Sequence, residues 1–215
     1  MKRILPQTIG GWGLIGLVIA IAIGGVVAVW QTIPKDPAEH SAEAGFLRDM
    51  QTHHTQAITM AMAIRDRTDD EQLKALATDI AFAQAGEIGK MQGYLDSWDL
   101  PFSGTDTPMA WMGMPLADGE LMPGMATDEQ IAQLSSLPVD EAEVLFLQLM
   151  IRHHQGGVEM AEAILQRSDN DLVTTYANQV VRVQSQEIDT MNAMLEERGA
   201  DPITDPLPTS HNHGS

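Results

Sequence analysis

The chain has 215 residues and a net charge of −18, with 30 acidic against 12 basic side chains. An acidic surface repels nucleic-acid phosphates and attracts cations, so a nucleic-acid partner is excluded. With no cysteine and 14 methionines, disulfides and thiolate metal sites are unavailable, while soft thioether donors are plentiful.

Lys2 and Arg3 are followed by no charged residue until Lys35. The apolar run from Ile9 to Trp30 is long enough, at about 1.5 Å per helical residue, to cross a bilayer's hydrocarbon core. Trp12 and Trp30 stand near its two ends, where interfacial aromatics collect. Residues 9–30 are therefore expected to be a transmembrane signal anchor. Residues 1–8 would be cytoplasmic, and everything after the linker 31–40 would lie outside the cytoplasm, on a periplasmic or extracellular face. A cleaved signal peptide ending near Ala20-Ile21-Ala22 is the alternative, and it too exports the domain.

Residues 42–95 align with 142–195 at a constant offset of one hundred, without a gap. The matched pairs include Glu43/Glu143, Phe46/Phe146, Met50/Met150, His53/His153, His54/His154, Met60/Met160, Gln84/Gln184, Glu87/Glu187 and Met91/Met191. Such rare residue types make chance a poor explanation.

Each copy reads as a helical hairpin. A helix from the Ser41 cap to about Arg67 is followed by one opened by Asp69-Asp70 and running to about Trp98. In the second copy Asp140 is expected to cap a helix to Arg167. Asp169-Asn170 opens the next, which stops at the C′ glycine Gly199. The Met-rich connection 99–139 contains Thr127-Asp128-Glu129-Gln130, a capping box that predicts a short helix to about Leu134. No stretch alternates like a strand. The expected fold is all-α: a ferritin-like four-helix bundle made of two duplicated hairpins joined by one long crossover. Residues 200–215 are Pro-rich and polar, and are expected to be disordered.

On a helical wheel Glu43, Met50, His54, Ala57 and Ala61 share one arc, with His53 and Met60 beside it. Gln84, Glu87, Ile88 and Met91 share a face of the next helix, and the second copy repeats both stripes. A hydrocarbon core has no use for such polar groups, and burying them unpaired is costly. Imidazole and thioether together suit copper, Cu(I) above all, and its mimic Ag(I). Met50 and His54 are one helical turn apart and can point at one ion, as can Met150 and His154. Glu43, Gln84, Glu87, Glu143, Gln184 and Glu187 would orient ligands rather than bind a soft ion. The connection's Met109, Met112, Met114, Met122 and Met125 either capture Cu(I) or cover apolar surface. His211 and His213 in the tail either add a weak site or do nothing specific, the second being the expectation. The competing interpretation is a structural or partner-binding bundle whose His, Glu and Gln form a polar core network.

No Glu-x-x-His, His-Glu-x-x-His, Gly-rich phosphate loop or Gly-x-Ser-x-Gly occurs. No catalytic constellation is recognised, so a metal oxidase ranks last among the functions considered.

The pattern F-L-x-x-M-x-x-H-H-x-x-x-x-x-M-A at Phe46–Ala61 and Phe146–Ala161 is followed each time by Q-x-x-E-I-x-x-M, at Gln84–Met91 and Gln184–Met191. M-P-G-M at 122–125 precedes the second copy. These motifs, spread over about residues 41–199, resemble the CopM-like family, a domain of unknown function with a ferritin-like fold. The resemblance implies a secreted or periplasmic four-helix bundle associated with copper binding and resistance through His and Met. Carried over by position, it points to Met50, His53, His54, Met60 and Met91, with Met150, His153, His154, Met160 and Met191, as the ligands. The family commonly has Asp where this chain has Glu43 and Glu143, and Thr59 stands where the second copy has Glu159. The implied role is copper sequestration or handover at the cell surface, to a delivery partner the sequence does not name.

Overall fold

The structure is a computed structural model that describes residues 36–207. Among these residues there are five α-helices, one 3-10 turn and no strand, so the domain is an all-helical bundle. The expected anchor 9–30 and the tail histidines His211 and His213 lie outside the described residues. No helix within those residues is long and apolar enough to cross a membrane.

Local sequence explains most helix ends. Helix α1 (Ala42–Arg65) begins where the Ser41 hydroxyl accepts from the Ala44 amide at 3.2 Å. Helix α2 (Glu71–Ser97) is capped by Asp70, which accepts from the Gln72 and Leu73 amides. Asn170 does the same for α5 (Asp171–Glu197), through Leu172 and Val173. Such side chains satisfy amides that would otherwise have no partner in the first turn. The expected capping box is present: Thr127 and Gln130 bond reciprocally at the start of α3 (Asp128–Ser136).

Helix α4 (Val139–Leu165) departs from expectation. Pro138, not Asp140, occupies the cap position and offers no side-chain acceptor. Asp140 and Glu141 fall instead in the first turn, where their charges face the positive end of the helix dipole. Helices α2 and α5 end alike. Asp99 and Gly199 both adopt positive φ, at 55° and 70°, and the next amide returns to Leu95 or Leu195. Glycine enters that left-handed conformation without strain, whereas in the first copy an Asp takes it.

Short turns make α1/α2 and α4/α5 tight hairpins. The hairpins meet through α1 and α4, which run in opposite directions, so the end of one lies at the start of the other. Thr68, just past α1, donates its hydroxyl to Glu143 near the start of α4 at 2.5 Å. Ser168, just past α4, donates to Glu43 near the start of α1 at 2.7 Å. These are one bond repeated by a pseudo-twofold axis. The core divides into two clusters on either side of the axis. One joins Phe46, Leu47, Met50, Met91 and Leu95 to Met160, Ile164, Tyr176 and Val180. The other joins Met60, Ile64, Leu73 and Ile80 to Phe146, Leu147, Met150, Met191 and Leu195.

The connection lies against the bundle. Arg67 donates to the carbonyls of Leu134 and Leu137, and its repeat partner Arg167 donates to that of Met112. Residues 200–207, expected from composition to be disordered, instead run along α4 and α5. Asn192 bonds both the amide and the carbonyl of Ile203, and Arg152 grips the Asp205 carboxylate with two bonds of 2.9 Å. Side-chain amide and guanidinium partners on the helices satisfy a segment that composition alone reads as unpaired.

Candidate metal centre

The four motif histidines sit at mid-length on α1 and α4, where the two helices cross, and all are fully buried. The His53 and His153 rings stack across the axis, their centroids 3.7 Å apart and their planes 33° from parallel. His153 Nε2 lies 2.9 Å from the His53 carbonyl, and His53 Nε2 lies 3.0 Å from the Pro123 carbonyl. A carbonyl only accepts, so both rings carry their proton on Nε2. His54 Nε2 meets Glu87 Oε2 at 2.7 Å, and His154 Nε2 meets Glu187 Oε2 at the same distance. A carboxylate sets the same tautomer.

The consequence lies on the other ring nitrogen. The Nδ1 atoms of His53, His54, His153 and His154 are all buried and have no hydrogen-bond partner. In the neutral Nε2–H tautomer each Nδ1 holds a bare lone pair out of water, an arrangement that costs free energy unless an acceptor-seeking group fills it. Burial, and secondly the His54 charge, pulls His53 down to about 3. Burial and the neighbouring imidazoles hold His153 well below the ordinary value. Protons therefore do not occupy the Nδ1 lone pairs of His53 and His153 near neutrality, which leaves these two to a metal ion.

The six motif methionines are all fully buried. Met50, Met91 and Met160 share one cluster, and Met60, Met150 and Met191 share the other. Each set takes two thioethers from one hairpin and one from the other. Met50 is one helical turn from His54, and Met150 one turn from His154, so each pair points the same way. Met60 lies about 9 Å along the helix from His54, and for that reason joins the opposite set. Among the described residues no three His, Asp or Glu side chains gather into a metal site on their own. The available donors are imidazole nitrogens with thioether sulfurs nearby, a set that fits a soft, Cu(I)-like ion rather than a hard one.

The polar residues predicted to orient ligands separate into three kinds. Glu87 and Glu187 touch the imidazoles directly. Gln84 and Gln184 are buried with amide atoms that lack partners: both atoms of Gln84, and Oε1 of Gln184. Glu43 and Glu143 tie helix ends together, Glu143 also receiving Arg198 at 3.1 Å. Eleven residues separate position 43 from 54, about 16 Å of helix, so these two carboxylates lie far from the imidazoles.

The connection's methionines lie over the first cluster. Met109 and Met122 are buried within it, and Met112, Met114 and Met125 pack on it half-buried. Met122-Pro123-Gly124-Met125 forms a strap across the crossing point. A Cβ on Gly156 would sit 1.9 Å from the Pro123 carbonyl oxygen, and one on Gly124 would sit 2.1 Å from that of Arg152. Gln56 clamps the strap's end through both the amide and the carbonyl of Ala126, at 2.7 and 2.9 Å.

Sequence reasoning did not single out Pro123, Gln56, Asp49 or Tyr176. Asp49, nearly buried, accepts from the Met109 amide and from Trp111 Nε1 at 2.7 and 2.8 Å, and so fastens the start of the connection. The signal for Tyr176 was available as a mismatch in the repeat, since Leu76 stands at the matching position.

Comparison with known proteins agrees with this architecture. Residues 43–195 match the family model "Domain of unknown function (DUF305)". A DUF305 protein from Streptomyces coelicolor is 46% identical, with a TM-score of 0.72 over 78% of this chain and 100% of that one. CopM in its Cu(II)-bound form is 27% identical, with a TM-score of 0.59 over 72% of this chain and 96% of that one. Its Cu(I)-bound form is 25% identical, with a TM-score of 0.56. An uncharacterised protein of Acanthamoeba polyphaga mimivirus is 47% identical over 51 residues, 24% of this chain, which spans only 34% of that relative's length. The chain belongs to the DUF305 family and shares its helical fold with CopM.

Proposed function

We propose that this protein is a membrane-anchored, extracytoplasmic metal-binding protein that holds Cu(I), or Ag(I) in its place, through His and Met for sequestration or handover. One observation carries the proposal: four buried imidazoles have Nε2 facing an acceptor and Nδ1 without any hydrogen-bond partner. A structural network would pair both nitrogens. Two clusters of three buried thioethers flank these rings and supply the remaining soft donors.

CopM structures with bound Cu(I) and Cu(II) at 25% and 27% identity support the same reading. The acidic surface favours cation approach. The uncharged run 9–30 after two basic residues supports an anchor with the bundle on the far side. A ferritin-like assignment of the bundle belongs to this proposal as well, and rests on the paired hairpins and their single long connection.

The competing reading is a purely structural polar core, which the satisfied Nε2 atoms favour. Thermal melts with and without Ag(I) under reducing conditions separate the two. A ligand that binds only the native state raises the midpoint, and the rise should vanish in the His54→Ala/His154→Ala double variant. An unchanged midpoint in the unmutated chain, with no ion retained on desalting, rules out the metal reading.

A further inference from the structure

We infer that the two hairpins form unequal half-sites, and that Tyr176 makes the one built on His54 the tighter. This inference rests on the His/Met centre proposed above. The repeat matches the ligand candidates residue for residue, yet not their support. Tyr176 is 1% exposed, and its hydroxyl lies 3.2 Å from His54 Nε2, beside the bond that this nitrogen makes to Glu87. Gln179 Nε2 reaches the other oxygen of Glu87 at 3.4 Å. Lys90 Nζ fixes Gln179 by donating to its Oε1 at 3.2 Å, and lies 5.6 Å from the centre of the Tyr176 ring.

Every one of these supports is missing from the second half-site. Leu76 replaces the phenol, Asp79 stands where Gln179 does, and Thr190 stands where Lys90 does. Among the described residues Glu187 receives His154 alone, and its side chain is 21% exposed against 13% for Glu87. A carboxylate held by a second donor, with a phenol lodged against the same ring nitrogen, holds its imidazole in one plane and one tautomer. The bare Nδ1 of His54 is then aimed before any ion arrives, and less freedom is lost on coordination. The His154 ring leans on a carboxylate that nothing else restrains. Tyr176 is thus a positioning residue and not a ligand, since it touches the nitrogen opposite the vacant lone pair.

The test is a titration of the full chain in detergent with Ag(I), followed through ¹³C-labelled methionine methyl resonances. The inference expects two steps: the methyls of Met50, Met91 and Met160 shift first, and those of Met60, Met150 and Met191 later. Tyr176→Phe should weaken the first step about tenfold, the usual size of an outer-shell loss, and leave the second unchanged. No methyl shift in the unmutated chain would sink the metal centre itself. Both sets shifting together, or two steps that survive unaltered in Tyr176→Phe, would leave the centre standing and overturn the inequality. If circular dichroism shows Tyr176→Phe unfolded, Gln179→Ala, at a half-buried helix position, decides by the same criteria with a smaller loss.

Discussion

His53 and His153 lie ring on ring across the pseudo-twofold axis, 3.7 Å between centroids, and the second donates to the backbone carbonyl of the first at 2.9 Å. Two imidazoles at this separation cannot both accept a proton in a dry interior. Both are neutral in the folded domain, His53 titrating only at about 3. In the unfolded chain each titrates near 6.5. Between those values the unfolded state binds more protons than the native one, so stability rises with pH.

The metal-free protein is therefore expected to be most stable above about pH 6.5 and to weaken as pH falls below it. The slope approaches about 1.4 kcal/mol per pH unit for each of the two histidines. Urea melts at pH 7.5 and 5 check this, and equal midpoints at the two values would contradict it. Replacing both by Gln should flatten the profile.

The same geometry fixes the tautomer. Long-range ¹H–¹⁵N spectra of the metal-free protein should show His53 and His153 with Nε2 protonated and Nδ1 bare, because both Nε2 atoms face carbonyl oxygens. A protonated Nδ1 on either ring would remove the lone pair on which the metal site depends.

Met50→Leu together with Met150→Leu separates packing from coordination. Leu conserves volume at these fully buried positions, and such swaps usually cost less than about 1.5 kcal/mol. Leu has no sulfur, so Ag(I) affinity should fall at least tenfold while the metal-free melting temperature changes little. Unaltered affinity would assign these thioethers to packing alone.

Gly156→Ala tests the strap. The added Cβ would meet the Pro123 carbonyl, which cannot retreat without losing the His53 bond. A loss of about 1–3 kcal/mol, typical of forced overpacking, is expected, with Met122 released towards solvent. Denaturant unfolding measures the loss. A fully stable variant would mean that the strap shifts without strain. Gln56→Ala should loosen the same strap more gently, by removing both bonds to Ala126.

Much of this was legible in the chain. The hundred-residue offset, the caps at Ser41, Asp70, Thr127 and Asn170, and the positions of the histidines on their helices all follow from residue type and spacing, because caps and helical periodicity are local. The start of α4 was misplaced because Asp140 looks like a cap, although Pro138 ends the preceding turn. The order of residues 200–207 could not be read, since it depends on Arg152, far away in sequence, and on the chain folding back onto Asn192 of α5.

What the sequence determined by itself is the donor inventory: two His pairs, six matched methionines and two carboxylates at one repeating register. Only the tertiary structure decided how they combine. Because α1 and α4 run in opposite directions through one crossing, Met60 joins the second hairpin's thioethers and Met160 the first's, and Tyr176 reaches across to His54. Periodicity places a side chain on a face of its own helix. Which face meets which is set by packing two helices into a shared core, and that depends on the whole chain at once.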